Sequence, residues 1–198
     1  MAVTILLSLA THAQHAEGRW SLQPKVGINL ATMTNADEAK LRTAFVAGAE
    51  LEYQTSRQVS VSFGTLYSQQ GCDADFYGID GTIKMDYINI PVMVNVYVAD
   101  GLALKTGLQP GFLINDKVKV STNGVSAEVG LEESYRYAGT NADIKTLCLS
   151  LPIGISYEFS NIQIDARYNL GLTKAISVPN DSTKHSVFEF TVGYKFSL

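Results

Sequence analysis

No stretch of this chain approaches the roughly 18 uninterrupted apolar residues that a membrane-spanning helix requires. The longest central run, Val92–Val98, is broken by Asn95. Charge is also scarce, at 17% of 198 residues, against about 25% in ordinary soluble domains. The net charge of −4 lacks the positive footprint that binding to nucleic acid needs, so nucleic acid is excluded as a partner. Two cysteines, Cys72 and Cys148, are too few for a disulfide framework. Export would permit a bond between them, but spacing does not say that they meet, and two unpaired thiols, Cys72 in a loop and Cys148 in a strand, is the simpler reading.

What the chain does have is 46% hydrophobic residues, plentiful but dispersed, as spanning strands distribute them and spanning helices do not. Residues 1–13 read as an export signal with its front missing. Val3–Ala10 is a short apolar core, and Thr11-His12-Ala13 offers small residues for cleavage after Ala13. No Lys or Arg precedes the core, which a start codon placed too late would explain. Residues 14–198 are then expected to form one domain.

Within that domain eight segments alternate with period two: Leu22–Leu30, Phe45–Tyr53, Val59–Tyr67, Ile88–Val98, Leu102–Ile114, Leu147–Phe159, Ile162–Leu172 and Phe188–Leu198. In each the apolar residues keep one parity, and none on that parity is charged. The connections alternate in length. Thr55–Gln58, Ala99–Gly101 and Ser160-Asn161 are short, whereas Ala31–Arg42, Gln69–Met85, Asn115–Thr146 and Thr173–Val187 are long. Short turns on one side and long loops on the other belong to an all-β, eight-stranded antiparallel up-and-down transmembrane barrel, with the short turns and both termini periplasmic. Asn123-Gly124 is a type I′ hairpin signal that would extend the fifth strand beyond the membrane.

Alternation alone leaves open whether the apolar face points in, as in a lipocalin-like barrel, or out to lipid. Three features favour lipid. An eight-stranded interior is only just filled by side chains and would not hold Phe45, Tyr53, Phe63, Tyr67, Phe112, Tyr157, Phe159, Tyr168, Phe188, Phe190, Tyr194 and Phe196 with the aliphatics. The opposite face is rich in glycine, with Gly27, Gly48, Gly64, Gly107, Gly111, Gly154, Gly171 and Gly193, which suits a narrow lumen. The aromatics gather towards strand ends, as the two belts of a bilayer would place them.

The lumen parity carries Lys25, Lys105, Arg167 and Lys195 against Glu50, Glu52, Glu158, Asp165 and Glu189. In a narrow low-dielectric interior such charges must pair. The two readings are a selective pore and a plug of salt bridges; eight strands leave no room for water, which favours the plug. Arg167 is the expected hub. Asp165 stands beside it on the same face, Glu189 approaches from the last strand, and Glu50 and Glu52 reach across, while Glu158 sits near the short turns.

Catalysis and metal binding have thin support. His185, Ser186 and Glu189 lie together in sequence, but strand neighbours point to opposite faces, which separates His185 from Ser186. No enzyme and no cofactor are expected. Asp73, Asp75 and Asp80 with Gly78 and Gly81 suggest a cation loop, yet Tyr77 and Lys84 break the EF-hand pattern, and a solvated acidic loop is preferred.

Lys25–Leu30 (KVGINL), Asp86–Pro91 (DYINIP), Leu104–Phe112 (LKTGLQPGF), Leu151–Phe159 (LPIGISYEF), Ile162–Leu172 (IQIDARYNLGL) and Phe190–Phe196 (FTVGYKF) resemble the PorT-like, Bacteroidota-type outer-membrane β-barrel family across essentially the whole mature chain. The resemblance implies an outer-membrane barrel, and its namesake's link to protein secretion implies an extracellular or secretion-system partner besides the bilayer. The end, Phe196-Ser197-Leu198, displaces the terminal aromatic by two residues. Two functions follow as expectations: a structural or interaction barrel acting through its loops, or a lumen-active barrel, either a small channel or a lipid-modifying enzyme.

Overall fold

A computed structural model describes residues 17–34, 39–76, 79–122, 125–137, 139, 142–178 and 181–198. The candidate signal at 1–13 and the Asn123-Gly124 turn lie outside the described residues. The elements are β1 (Trp20–Thr34), β2 (Arg42–Gln54), β3 (Val59–Phe76), β4 (Ile79–Asn89), β5 (Val92–Ala99), β6 (Leu102–Thr122), β7 (Val125–Gly130), α1 (Leu131–Tyr137), β8 (Asp143–Ile144), β9 (Leu147–Phe159), β10 (Ile162–Gly171), β11 (Ile176–Val178), β12 (Asp181–Tyr194) and β13 (Phe196–Ser197).

Eight antiparallel staves form a ring: β1, β2, β3, β4 continued by β5, β6, β9, β10, and β12 continued by β13. The ring closes where β1 pairs with β12 from Lys25↔Gly193 to Thr34↔Lys184, and with β13 at Leu22↔Phe196. Closure leaves the spanning backbone no open edge, as a bilayer demands. The fourth stave is split because Pro91 has no N–H to give the ladder. Ile90 N–H donates to the Pro110 carbonyl at 2.8 Å and Gly64 N–H to the Pro91 carbonyl at 3.2 Å, so pairing carries across the break. Pro152 has a similar effect between β6 and β9, whose register skips from Thr106↔Ile153 to Gln109↔Ser150. There the Thr106 hydroxyl donates to the Pro152 carbonyl at 3.1 Å.

The apolar parity faces out along every stave: Val26, Phe45, Val94, Leu104, Ile155, Ile164 and Phe190 are exposed, while Gln23, Lys25, Glu50, Asn95, Lys105 and Arg167 are buried. The outward aromatics form two belts. At the short-turn end Trp20 packs on Tyr53 at 4.9 Å and Tyr194 on Phe196 at 4.6 Å between centroids. At the other end Tyr168 packs on Phe188 at 4.7 Å.

The three short turns fall where alternation puts them. Much of the long connections does not. Gln69–Met85 is mostly a hairpin, β3 and β4 pairing out to Phe76↔Ile79, so Cys72 is a strand residue. β6 pairs with β7 up to Thr122↔Val125. The stretch 173–187 contains β11, which joins β12 and β8. Alternation of apolar with polar residues marks a strand only while one face meets lipid. Past the belts the ladder continues with polar residues outward, and a bulge between Asp86 and Tyr87 shifts the parity.

Inward glycines make room for the charges. Gly154 is the cross-strand partner of both Lys105 and Arg167. A Cβ there would stand 2.7 Å from the Arg167 Cβ and 2.8 Å from the Ala166 carbonyl oxygen. Gly48 is likewise opposite Lys25, with no space for a Cβ before the Thr65 carbonyl.

Candidate functional site

The lumen holds two charge networks rather than one. In the first, Arg167 lies mid-stave on β10 and its guanidinium is fully buried. Nε and Nη2 donate to the two oxygens of Asp165 at 3.0 Å each, and Nη1 donates to Glu50 at 3.0 Å. Glu189, its direct partner across β10 and β12, lies 3.4 Å from Nε and accepts from Asn169 Nδ2 at 3.2 Å. Lys25 donates to Glu50 at 2.8 Å, and Lys105 to Asp165 at 2.6 Å. The planar fork of a guanidinium presents its donors in fixed, diverging directions, so one face can be bidentate to Asp165 while another reaches Glu50. Arg167 therefore ties β10 to β12 beside it and to β2 across the lumen.

The second network lies nearer the short turns. Lys195 Nζ sits 2.7 Å from Glu158 and 2.9 Å from Glu52. It also donates to the Tyr97 hydroxyl, which in turn donates to Glu52 at 2.7 Å. Glu52 thus belongs to Lys195, not to the Arg167 hub that the sequence suggested for it, and Glu158, placed by the sequence near the short turns, joins it there. The stagger of a barrel decides which residues meet across it, and alternation does not encode stagger. Tyr97, on the inward parity of β5, was not singled out by the sequence reasoning; a hydroxyl two positions from Asn95 on that parity was the available signal. Asn95 links the networks to the wall by donating to Ser60 at 3.0 Å.

Towards the long-hairpin end the filling changes character. Met33, Cys72, Met85, Tyr87, Leu131, Cys148, Ala175 and Ile176 form a buried apolar cluster. His185 lies against it, its ring edge-on to Tyr87 at 5.1 Å, with Nε2 2.9 Å from the Tyr87 hydroxyl. That hydroxyl is also 3.7 Å from Cys148 Sγ. Both thiols are free and buried. The alternation did not point to this cap, because Met33, Cys72, Met85, Leu131, Ala175 and Ile176 come from segments read as loops, and only Cys148 from a segment read as a strand.

The remaining candidate residues are dispersed. His185 faces in, whereas Ser186 faces out and bonds the Tyr168 hydroxyl at 2.9 Å. Glu189 is held in the Arg167 network. Asp73 lies on β3, and the register pairs Asp75 with Asp80, so these three sit on a hairpin rather than on an EF-hand-like loop. On the outer face of the long hairpins Lys84 meets Glu128 at 2.5 Å. That hydrogen bond and its positive charge hold the Glu128 carboxyl below its ordinary range.

A closed ring of eight antiparallel strands, belted outside by aromatics and polar within, defines an outer-membrane β-barrel. The family model "Outer membrane protein beta-barrel domain" matches residues 12–177, and the chain belongs to that family. No curated protein sequence matches the chain. Among solved structures it is similar to Ail, the attachment invasion locus protein of Yersinia pestis, at 20% identity and a TM-score of 0.53, over 91% of this chain and 100% of that one. It is also similar to Neisserial surface protein A, at 14% identity and a TM-score of 0.48, over 91% and 100% of the two chains. A third is OprG of Pseudomonas aeruginosa, at 14% identity and 0.45, over 93% and 98%. At these identities the likeness is one of fold.

Proposed function

We propose that the protein is a sealed surface barrel: residues 14–198 form a closed transmembrane scaffold whose work is done by the hairpins at its long-loop end, not by its lumen. The observation that carries this reading is the succession of buried, inward-facing side chains along the interior. The Lys195 network, the Arg167 network and the apolar cap around Tyr87 follow one another along the axis. A pore needs a water path, and an enzyme needs convergent groups at a reachable surface; His185 and Ser186 lie on opposite faces of the wall. Residues 1–13 act as the export signal, both termini are periplasmic, and β3–β4 and β6–β7 stand outside the cell. The PorT-like resemblance adds a class of partner for those hairpins, a secretion-linked protein.

Labelling of intact cells tests the orientation, and the buried native thiols keep the background low. A membrane-impermeant maleimide is expected to label a Lys117→Cys variant on whole cells, and an Arg57→Cys variant only after the outer membrane is permeabilised. The opposite pattern overturns the reading.

A further inference from the structure

The outer face of the barrel carries a group of lysines immediately past the aromatic belt, on three consecutive staves. Three short segments lie side by side there. Lys145 N–H donates to the Ala175 carbonyl at 3.0 Å, and Ala175 N–H to the Thr183 carbonyl at 2.8 Å. Their inward residues are fixed by what they touch. Ile144 packs on the apolar cap, its register partner Ile176 is buried within that cap, and the Thr183 hydroxyl, also opposite Ile176, donates to Met33 Sδ at 3.9 Å. The alternate residues, Lys145 and Lys184, therefore turn outward, and Lys174 is exposed beside them. Asp143 pairs with Lys145, and both side chains remain substantially exposed. Among the described side chains of this strip, three lysines against the carboxylate of Asp143 leave an excess of positive charge on an otherwise acidic chain.

Directly beneath stand exposed Leu147 on β9, Phe188 on β12 and Leu172 just past the end of β10. Lys145 and Lys174 are each two residues beyond that edge. Lys184 is four residues beyond Phe188, or ~13 Å along the strand at the usual rise. Cations on the outer face at that height come within reach of the headgroups of the surrounding leaflet.

We propose that Lys145, Lys174 and Lys184 form a docking face for a phosphorylated lipid headgroup of the leaflet at the long-hairpin end. The acyl chains lie against Leu147, Leu172 and Phe188, and the phosphate is held by the ammonium groups. This inference rests on the orientation proposed above only for which leaflet supplies the lipid. Reconstitution, in which both faces are accessible, tests it separately from that reading.

The experiment is lipid retention by the whole refolded barrel. Wild type in micelles doped with bis-phosphorylated lipid A, with dephosphorylated lipid A, or with phosphatidylcholine is washed, and bound lipid is counted by native mass spectrometry. Wild type is expected to keep the phosphorylated lipid preferentially. A Lys145→Gln/Lys174→Gln/Lys184→Gln variant should keep at least ~tenfold less, since each basic residue near an anionic surface adds severalfold to binding. A Lys117→Gln/Lys119→Gln control, which loses charge farther out on the hairpins, should match wild type. Asp143→Asn should retain more lipid. Should the triple variant fail to show the heat-dependent gel mobility of a folded barrel, Lys174→Glu alone, outside any strand, carries the test with a severalfold loss. Equal retention by wild type and the lysine variants overturns the proposal. So does equal loss in the control, or equal retention of the dephosphorylated lipid. Complete displacement by millimolar inorganic phosphate would assign the site to a free anion and also overturn it.

Discussion

Replacing Arg167 with Met is expected to lower folding stability in lipid by about 3–5 kcal/mol, the usual consequence of removing one partner from a buried ionic group. The side chain is enclosed on all sides, and its loss strands Asp165, Glu50 and Glu189 within a few ångströms of one another. Lys25 and Lys105 remain to offset Glu50 and Asp165, but the described ion pairs give Glu189 only Arg167 as a cationic partner. A carboxylate left without a counter-charge in a low-dielectric interior is either protonated or forces the wall to open. Arg167→Lys should recover part of the loss, because it restores the charge but not the fork that serves two carboxylates together. Urea titration of the barrel in vesicles reads the effect. A change in Arg167→Met no larger than the ~0.5 kcal/mol typical of surface substitutions would remove Arg167 from the centre of the network.

Val94→Arg is expected to cost roughly 2–4 kcal/mol, since it sets a charge on the lipid face near the bilayer midplane. Val94 lies mid-way along the apolar stretch of its stave, flanked by Val61 and Thr106, with its side chain exposed to lipid. Its neighbour Asn95 is buried and bonded to Ser60 and Ser62. Asn95→Arg must therefore act by crowding the lumen. The two are separated by bilayer thickness. Shorter acyl chains bring the interface closer and should ease Val94→Arg, while leaving Asn95→Arg unchanged. Equal response of both variants, or no cost for Val94→Arg, would reverse the assignment of inside and outside.

These expectations draw on features of unequal legibility. That Val94 faces out and Asn95 in follows from the pleat alone, because a half-solvated strand must alternate. Arg167, Asp165 and Glu189 were readable as neighbours because they share a parity and sit on adjacent staves. That Glu158 lies low, near the short turns, was readable, but the assignment of Glu52 to Lys195 was not, since it depends on how far each stave slides past the next. The cap of Met33, Cys72, Met85 and Leu131 was hidden for another reason. It lies beyond the belts, where the outer face meets water and both faces of the ladder lose the contrast that betrays a strand. His185, noticed in the sequence with Ser186 and Glu189 as a weak catalytic group, lies at the long-hairpin end of the lumen against Tyr87.

Conductance in a planar bilayer tests the sealed lumen most directly. The wild-type barrel, inserted at neutral pH with both charge networks intact, is expected to pass no steady ionic current. Stable, reproducible single-channel steps from the wild type would mean a continuous water path through the Arg167 and Lys195 networks, and would contradict the account.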